Sequence, residues 1–318
     1  MYKIVLRSII FCLILMNLIF FSMDARAEYP TKPITMLIGY RAGGGTDVLG
    51  RVLANIMTRE LKQQVNVVNK AGAGGGVAAM LIKQSDPDGY MINLAASDSL
   101  NWHPLLSKDL KYDIDDFEYA GMLTLYQQGL IAPMKSPYNN MKEFIKYSKA
   151  NPGLKYAHFN PGSKLIMEYI AKIKGLQIRY VPAKGGSECA QLIIGNQVDL
   201  SYSGGIHARY PGQIKLIAAA TSTRHPGNPD VPTLMELGIP ISTDTLTTLT
   251  LPKGTPKDIL AKLEETLRIA STDPELIKIS TRLKYPIAFK TAKEAYDLLA
   301  KQLVQYKELV KTTGFKIK

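Results

Sequence analysis

The chain has 318 residues, 21% of them charged, and its 39 lysines and arginines outnumber its 27 aspartates and glutamates to give a formal charge of +12. The cations are scattered rather than gathered in a basic run interleaved with aromatics, which argues against a nucleic-acid binder. Two cysteines and four histidines, none grouped with carboxylates at ligand spacing, argue against a zinc site.

Lys3 and Arg7 form a short basic region, residues 9–21 are apolar except for Asn17, and Ala25-Arg26-Ala27 fits the small-x-small pattern of signal-peptide cleavage. The apolar run is shorter than the ~20 residues of a membrane span. The expectation is a signal peptide over 1–27, cleavage after Ala27, and a mature protein in the periplasm that starts at Glu28. Cys12 lies within the apolar run, so Cys189 is left as a single cysteine and no intramolecular disulfide is expected.

From there strand and helix patterns alternate. Residues 34–40 read as a buried strand that Gly43-Gly44-Gly45 breaks. Val48, Leu49, Val52, Leu53, Ile56, Met57 and Leu61 then trace an amphipathic helix with Thr46 near its N-cap. Residues 65–68 form the next strand, 71–76 a glycine-rich turn, 77–83 a helix of small residues, and 91–96 a third strand after the turn Asp86-Pro87-Asp88-Gly89. This β-α-β-α-β order predicts a parallel sheet with helices on both faces. A second set follows: helices over 141–150, from Ser163 and over 186–194, and strands over 155–158, 178–181, 198–202 and 214–220. The chain closes with helices, the last opening on the capping-box pair Thr291 and Glu294.

In open parallel sheets ligands lie at the C-terminal ends of strands, beside helix N-termini. That selects four loops, over 39–47, 71–76, 97–104 and 159–164. The first, Tyr40-Arg41-Ala42-Gly43-Gly44-Gly45-Thr46-Asp47, lets backbone approach a ligand, and the following helix aims free N–H groups at a carboxylate or phosphate. A flexible connection would carry the same glycines, so the residues alone leave both readings open. No Gly-Lys-Ser/Thr follows, so this is not a Walker loop. Gly74-x-Gly76-x-x-Ala79 fits a dinucleotide fingerprint loosely, but Asn93 and Leu94, about twenty residues on, supply no acid for a ribose.

Hydrolysis finds no Gly-x-Ser-x-Gly elbow. His158, His207 and Ser163 could be assembled into a triad, but the sequence gives no geometry for one. Cys189 shares an apolar helical face with Leu192 and Ile193, as a buried thiol would. Asp115, Asp116 and Glu118 read as a solvated turn.

Taken together, Tyr29-Pro30-x-Lys32-Pro33-Ile34, Ala42-Gly43-Gly44-Gly45-Thr46-Asp47, Asn69-Lys70-x-Gly72-Ala73-Gly74-Gly75 and Pro87-Asp88-Gly89-Tyr90 carry a family resemblance. Asn151-Pro152-Gly153, Val181-Pro182-x-Lys184-Gly185, Gly195-x-Gln197-Val198-Asp199, Asp230-Val231-Pro232-Thr233 and Pro252-x-Gly254-Thr255-Pro256 follow in the same order. From about Tyr29 to Gly314 the chain resembles the Bug-type periplasmic receptors of tripartite tricarboxylate transporters. The resemblance implies an α/β, two-lobe periplasmic-binding-protein (flytrap) fold with a parallel-rich sheet in each lobe. Lobe 1 would span 28–124 and 244–318, and lobe 2 would span 125–243.

It also implies a small carboxylate ligand, membrane permease subunits as partners, and no cofactor, metal or catalytic residue. A monomer is the default, since a flytrap must open. The ligand set it implies is Tyr40, Arg41, Gly44, Gly45, Thr46, Asp47, Ala73, Ser97, Asp98, Asn160, Ser163, Lys164 and Ser203. Departures from the family pattern fall at Arg41, Lys164, Ile166, Ala183 and Ser203. Arg41 and Lys164 would place positive charge on opposite lobes, which suits a ligand with two or more carboxylates. Two other readings stay open on sequence alone, a sensory module for a membrane signalling partner and an exported hydrolase.

Overall fold

The structure, a computed structural model, describes residues 28–315; the signal-peptide expectation over 1–27 lies outside the described residues. In chain order the elements are β1 (Ile34–Ile38), α1 (Gly45–Leu61), β2 (Val65–Asn69), α2 (Gly76–Lys83), β3 (Met91–Ala96), α3 (Asp98–Leu106), β4 (Phe117–Leu125), β5 (Gly129–Pro133), α4 (Met141–Ala150), β6 (Leu154–His158), α5 (Pro161–Lys174), β7 (Ile178–Pro182), α6 (Gly186–Ile194), β8 (Leu200–Ser203), β9 (Ile214–Ala219), β10 (Leu246–Pro252), α7 (Lys257–Thr272), α8 (Pro274–Leu283), β11 (Ile287–Lys290) and α9 (Ala292–Thr313).

Two sheets result, one per lobe. The first has the order β11-β4-β10-β3-β1-β2 and the second β7-β6-β8-β5-β9. Their cores are parallel: β1 pairs in parallel with β2 and β3, and β6 with β7 and β8. The other pairings are antiparallel, so each sheet is mixed rather than purely parallel. The reason lies in the chain path. β4 carries the chain out of the first sheet, and β10 brings it back from the second. β10 must therefore run against both β3 and β4, its neighbours.

One sequence expectation changes here. The segment 97–104, read as a ligand loop, is mostly helix α3, with Ser99, Leu100, Asn101, Trp102, His103 and Leu106 buried. Pro104 stands inside that helix and costs it a backbone bond, but tertiary packing overrides the local penalty. Asn101 Nδ2, for example, donates to Gln302 Oε1 of α9 at 3.0 Å. The N-cap of α1 is Gly44, two residues before Thr46, which the sequence places near it. Thr46 lies one step inside the helix, and its hydroxyl shares a 2.7 Å hydrogen bond with Tyr126.

The lobes are joined by more than the crossing strands. The first half of α9 packs Ala295 and Leu299 into the lobe 1 core. Its second half sends Tyr306 and Leu309 into the lobe 2 core, together with Trp102 and Leu106 of α3. The Trp102 and Tyr306 rings lie 4.0 Å apart, and α3 and α9 both pack on α5. An ideal Cβ on Gly162, in the first turn of α5, would fall 1.7 Å from Trp102 Nε1, so only glycine permits this approach.

Candidate functional site

The cleft forms where strand ends meet helix starts. It has a volume of about 390 Å³ and is lined from lobe 1 by Tyr40, Arg41, Gly44, Gly45, Thr46 and Tyr285. From lobe 2 it is lined by Phe159, Gly186, Ser187, Gly204, Ile206 and Arg209. α1 and α6 both begin here on glycine caps, Gly44 and Gly185, without a side-chain cap. Their first N–H groups, which no helix can bond internally, are left for a ligand. Each helix adds a partial positive charge at that end. Arg41 and Arg209 add full charges from opposite lobes, and among the described residues neither is paired with a carboxylate. The arrangement suits an anion with two acidic ends.

α5 also starts beside the lobe junction, but its N-terminus carries a side-chain cap. Asn160 Oδ1 accepts from Ser163 N at 2.7 Å, and Ser163 Oγ donates to the Asn160 carbonyl at 2.9 Å. Ser163 Oγ also accepts from the N–H groups of Phe159 and Asn160, each at 3.3 Å. This capping box takes the Ser163 N–H from an incoming anion, a donor that α1 and α6 leave free at the same position.

The sequence-derived ligand set therefore divides. Tyr40, Arg41, Gly44, Gly45 and Thr46 line the cleft. Ala73 and Asn160 line a neighbouring cavity of about 250 Å³. Ser163 serves the capping box, and its side chain is spent there. Lys164 does not reach the cleft: its ammonium pairs with Glu168, one turn along α5, at 3.1 Å and lies 5.5 Å from the centre of the Tyr180 ring. Ser97 is buried and accepts from Leu246 N at 3.1 Å, stitching the start of α3 to β10. Asp98 does not line the cleft but lies beside His103, and burial raises its carboxyl above the usual range despite the opposing pull of His103. Ser203 is buried too, 2.7 Å from His207 Nδ1.

Asp47 has a structural part. It is 2% exposed, and its carboxylate accepts from Gly43 N at 2.8 Å, Asn69 Nδ2 at 2.9 Å and Arg51 Nε at 3.1 Å. Burial pushes its pKa up, but the Arg51 guanidinium, the Gly43 N–H and the Asn69 amide together outweigh it and hold the carboxyl below its usual value. Asn69 Nδ2 also donates to the Tyr40 carbonyl at 3.0 Å. Asp47 and Asn69 thus clamp both shoulders of the glycine loop and fix where its N–H groups point. Two motifs twenty residues apart in sequence act on one loop.

Of the lobe 2 half of the cleft, the sequence pointed only to Phe159, in the loop 159–164. A further signal was present: Gly185-Gly186-Ser187 follows β7 and opens α6, repeating the strand–glycine–helix logic of Gly43-Gly44-Gly45. Tyr285 carried no signal. It comes from the turn after α8 and packs between the lobes. An ideal Cβ on Gly45 would lie 2.7 Å from its hydroxyl oxygen, and one on Gly205 would lie 3.1 Å from its Cε1. Gly205 has φ +112°, a conformation that strains other residues.

Behind Ser203, His207 and His225 are buried, and burial lowers both pKa values to about 4. Burial also raises the Cys189 thiol, which therefore stays protonated and unreactive. Among the described residues no group of three or more His, Cys, Asp or Glu could hold a metal ion, and no helix is long and apolar enough to cross a membrane.

Comparison with known proteins follows the same lines. Residues 49–315 match the sequence family described as the tripartite tricarboxylate transporter family receptor. The UPF0065 protein in the gbd 5' region of Cupriavidus necator is 34% identical, over 92% of each chain. Among solved structures, the periplasmic binding protein BugD superposes with a TM-score of 0.76 at 29% identity, covering 90% of this chain and 99% of its own. MatC from Rhodopseudomonas palustris, solved with bound malate, superposes with a TM-score of 0.75 at 26% identity, covering 89% and 100%.

Proposed function

The chain belongs to the tripartite tricarboxylate transporter receptor family, and we propose that it captures a small carboxylate between its lobes and delivers it to membrane permease subunits. The observation that carries this reading is the pairing across one cleft: an uncapped helix N-terminus and an arginine from each lobe. MatC, a relative of similar fold, holds malate, an acid with two carboxylates. A ligand with two carboxylates would meet Arg41 and the start of α1 with one end, and Arg209 and the start of α6 with the other.

Closure then follows from differential binding. The open form offers each carboxylate one lobe, while the closed form offers both lobes at once, so the ligand favours closure by the free energy of the second set of contacts. The chain crosses between the sheets at 126–128 and again before Leu246, and these crossings are the natural hinges. Transport needs no bond to be made or broken. The location that fits this role is the periplasm, as a monomer that opens and closes freely, with the leader over 1–27 directing export.

The test is thermal unfolding of protein that has been unfolded and refolded to remove bound ligand, against mono-, di- and tricarboxylates and amino acids. A ligand at 100 times its dissociation constant adds about 2.7 kcal/mol, which is a rise of roughly 5–10 °C. A shift with carboxylates and no product on prolonged incubation supports a receptor. Absence of a shift with every carboxylate, or turnover of any of them, overturns it.

A further inference from the structure

The second cavity, about 250 Å³, lies against the carboxylate cleft. It is walled by Gly74, His103, Leu106, Leu110, Phe159 and Pro161, a mainly apolar set. Phe159 lines both spaces. Tyr40 lines the cleft and donates its hydroxyl to the carbonyl of Gly74, on the cavity side, at 3.2 Å. One ring and one side-chain hydrogen bond therefore separate the two.

His103 forms part of the cavity wall. His103 is 8% exposed and uses Nδ1 in a 3.1 Å contact with the Gly74 carbonyl. Its Nε2 is buried and has no hydrogen-bond partner among the described residues. The Asp98 carboxylate stands 3.8 Å away, beyond hydrogen-bond reach. Asp98 Oδ1 beside it is likewise buried without a partner among the described residues, so this pair lies behind the apolar wall rather than open to the cavity.

We propose that this cavity is a side-chain subsite for an aromatic ring carried by the ligand whose carboxylate sits in the neighbouring cleft, which makes arylalkyl carboxylates the substrate class. The assignment rests on the carboxylate-receptor reading. Size agrees: a cavity of about 150 Å³ lined by apolar side chains takes up benzene, and this one is larger. Phe159, between the two spaces, offers its face or edge to a ring that passes it.

The experiment compares 3-phenylpropionate with propionate by isothermal titration calorimetry on the stripped protein, with succinate as a ring-free dicarboxylate. The two monocarboxylates differ only in the ring. Burying a phenyl group should give a roughly tenfold or greater gain in affinity. Ser107→Trp, which fills the cavity from its rim, and Leu110→Phe, which fills it from the wall, are each checked for folding by their melting temperature. In whichever folds, the phenylpropionate-to-propionate ratio should fall toward one. A wild-type ratio below about threefold, with propionate or succinate still binding, overturns the subsite and leaves the receptor standing. A ratio that persists in the filled variants places the ring elsewhere and also overturns it. No binding by any carboxylate removes the receptor reading, and the subsite with it.

Discussion

Replacing Asp47 with alanine removes the acceptor of three hydrogen bonds: from Gly43 N at 2.8 Å, Asn69 Nδ2 at 2.9 Å and Arg51 Nε at 3.1 Å. The Arg51 side chain is half exposed, so its ion pair adds little. The other two are hydrogen bonds to a charged acceptor, each worth ~1.5–3 kcal/mol. Water recovers part of this at the rim of the loop, leaving a net loss of ~2–4 kcal/mol, or a fall in melting temperature of roughly 5–10 °C. That fall should appear without any ligand, because the clamp belongs to the protein alone. Differential scanning fluorimetry of the ligand-free variant measures it. Carboxylate affinity should drop as well, since the N–H groups of the loop lose their aim. The pH dependence has a defined sign. The carboxyl is held below its usual value in the folded state, so its contribution is full above about pH 4 and is lost as the pH falls through the lowered native value. The advantage of the native protein over Asp47→Asn should shrink in that window. A ligand-free melting temperature within 2 °C of the native one, with affinity reduced, would refute the clamp and return Asp47 to direct ligand contact.

Other outcomes follow from the same geometry. Arg41→Ala and Arg209→Ala should each weaken dicarboxylate binding by roughly tenfold or more while leaving the ligand-free melting temperature unchanged, because neither arginine has a carboxylate partner among the described residues; calorimetry with succinate and propionate checks this, and Lys164→Ala should have little effect on either. Gly162→Ala forces a methyl group onto Trp102 Nε1, 1.7 Å from its ideal position, and should cost ~1–3 kcal/mol by overpacking. It should also hold the lobes apart, seen as a larger radius of gyration in X-ray scattering with ligand present. A variant with native stability and native closure would show that α3 and α5 are not the seam described. His207, with its pKa near 4 in the folded state against ~6.5 unfolded, stays neutral when folded while the unfolded chain takes up a proton. Stability should therefore fall as pH drops from about 6.5 toward 4, by ~2 kcal/mol at pH 5 from this residue alone. Urea unfolding of the native protein and of His207→Gln at pH 7 and pH 5 measures the difference.

Local pattern determined much of this protein. Apolar alternation and the 3.6-residue period located β1, α1, β2, α2 and β3 to within a residue or two, because those signals are set by which face of each element is buried. Glycines at strand ends located the lobe 1 half of the cleft, because close backbone approach needs them. The spaced motifs carried the family, and with it the two-lobe fold. Tertiary structure decided the rest. Whether a helix N-terminus is open to an anion depends on its cap: Asn160 and Ser163 close α5, while Gly44 and Gly185 leave α1 and α6 open. The positive charge on lobe 2 comes from Arg209 rather than Lys164, because the direction of a long side chain is fixed by its neighbours, here Glu168 and Tyr180. Trp102 of α3 meets Gly162 of α5 only once β4 has carried the chain across, and Tyr285 reaches Gly205 only when both lobes are in place. Sequence separation says nothing of such contacts, since they are made by the return path of the chain, and in a cleft between two lobes that path supplies half of the walls.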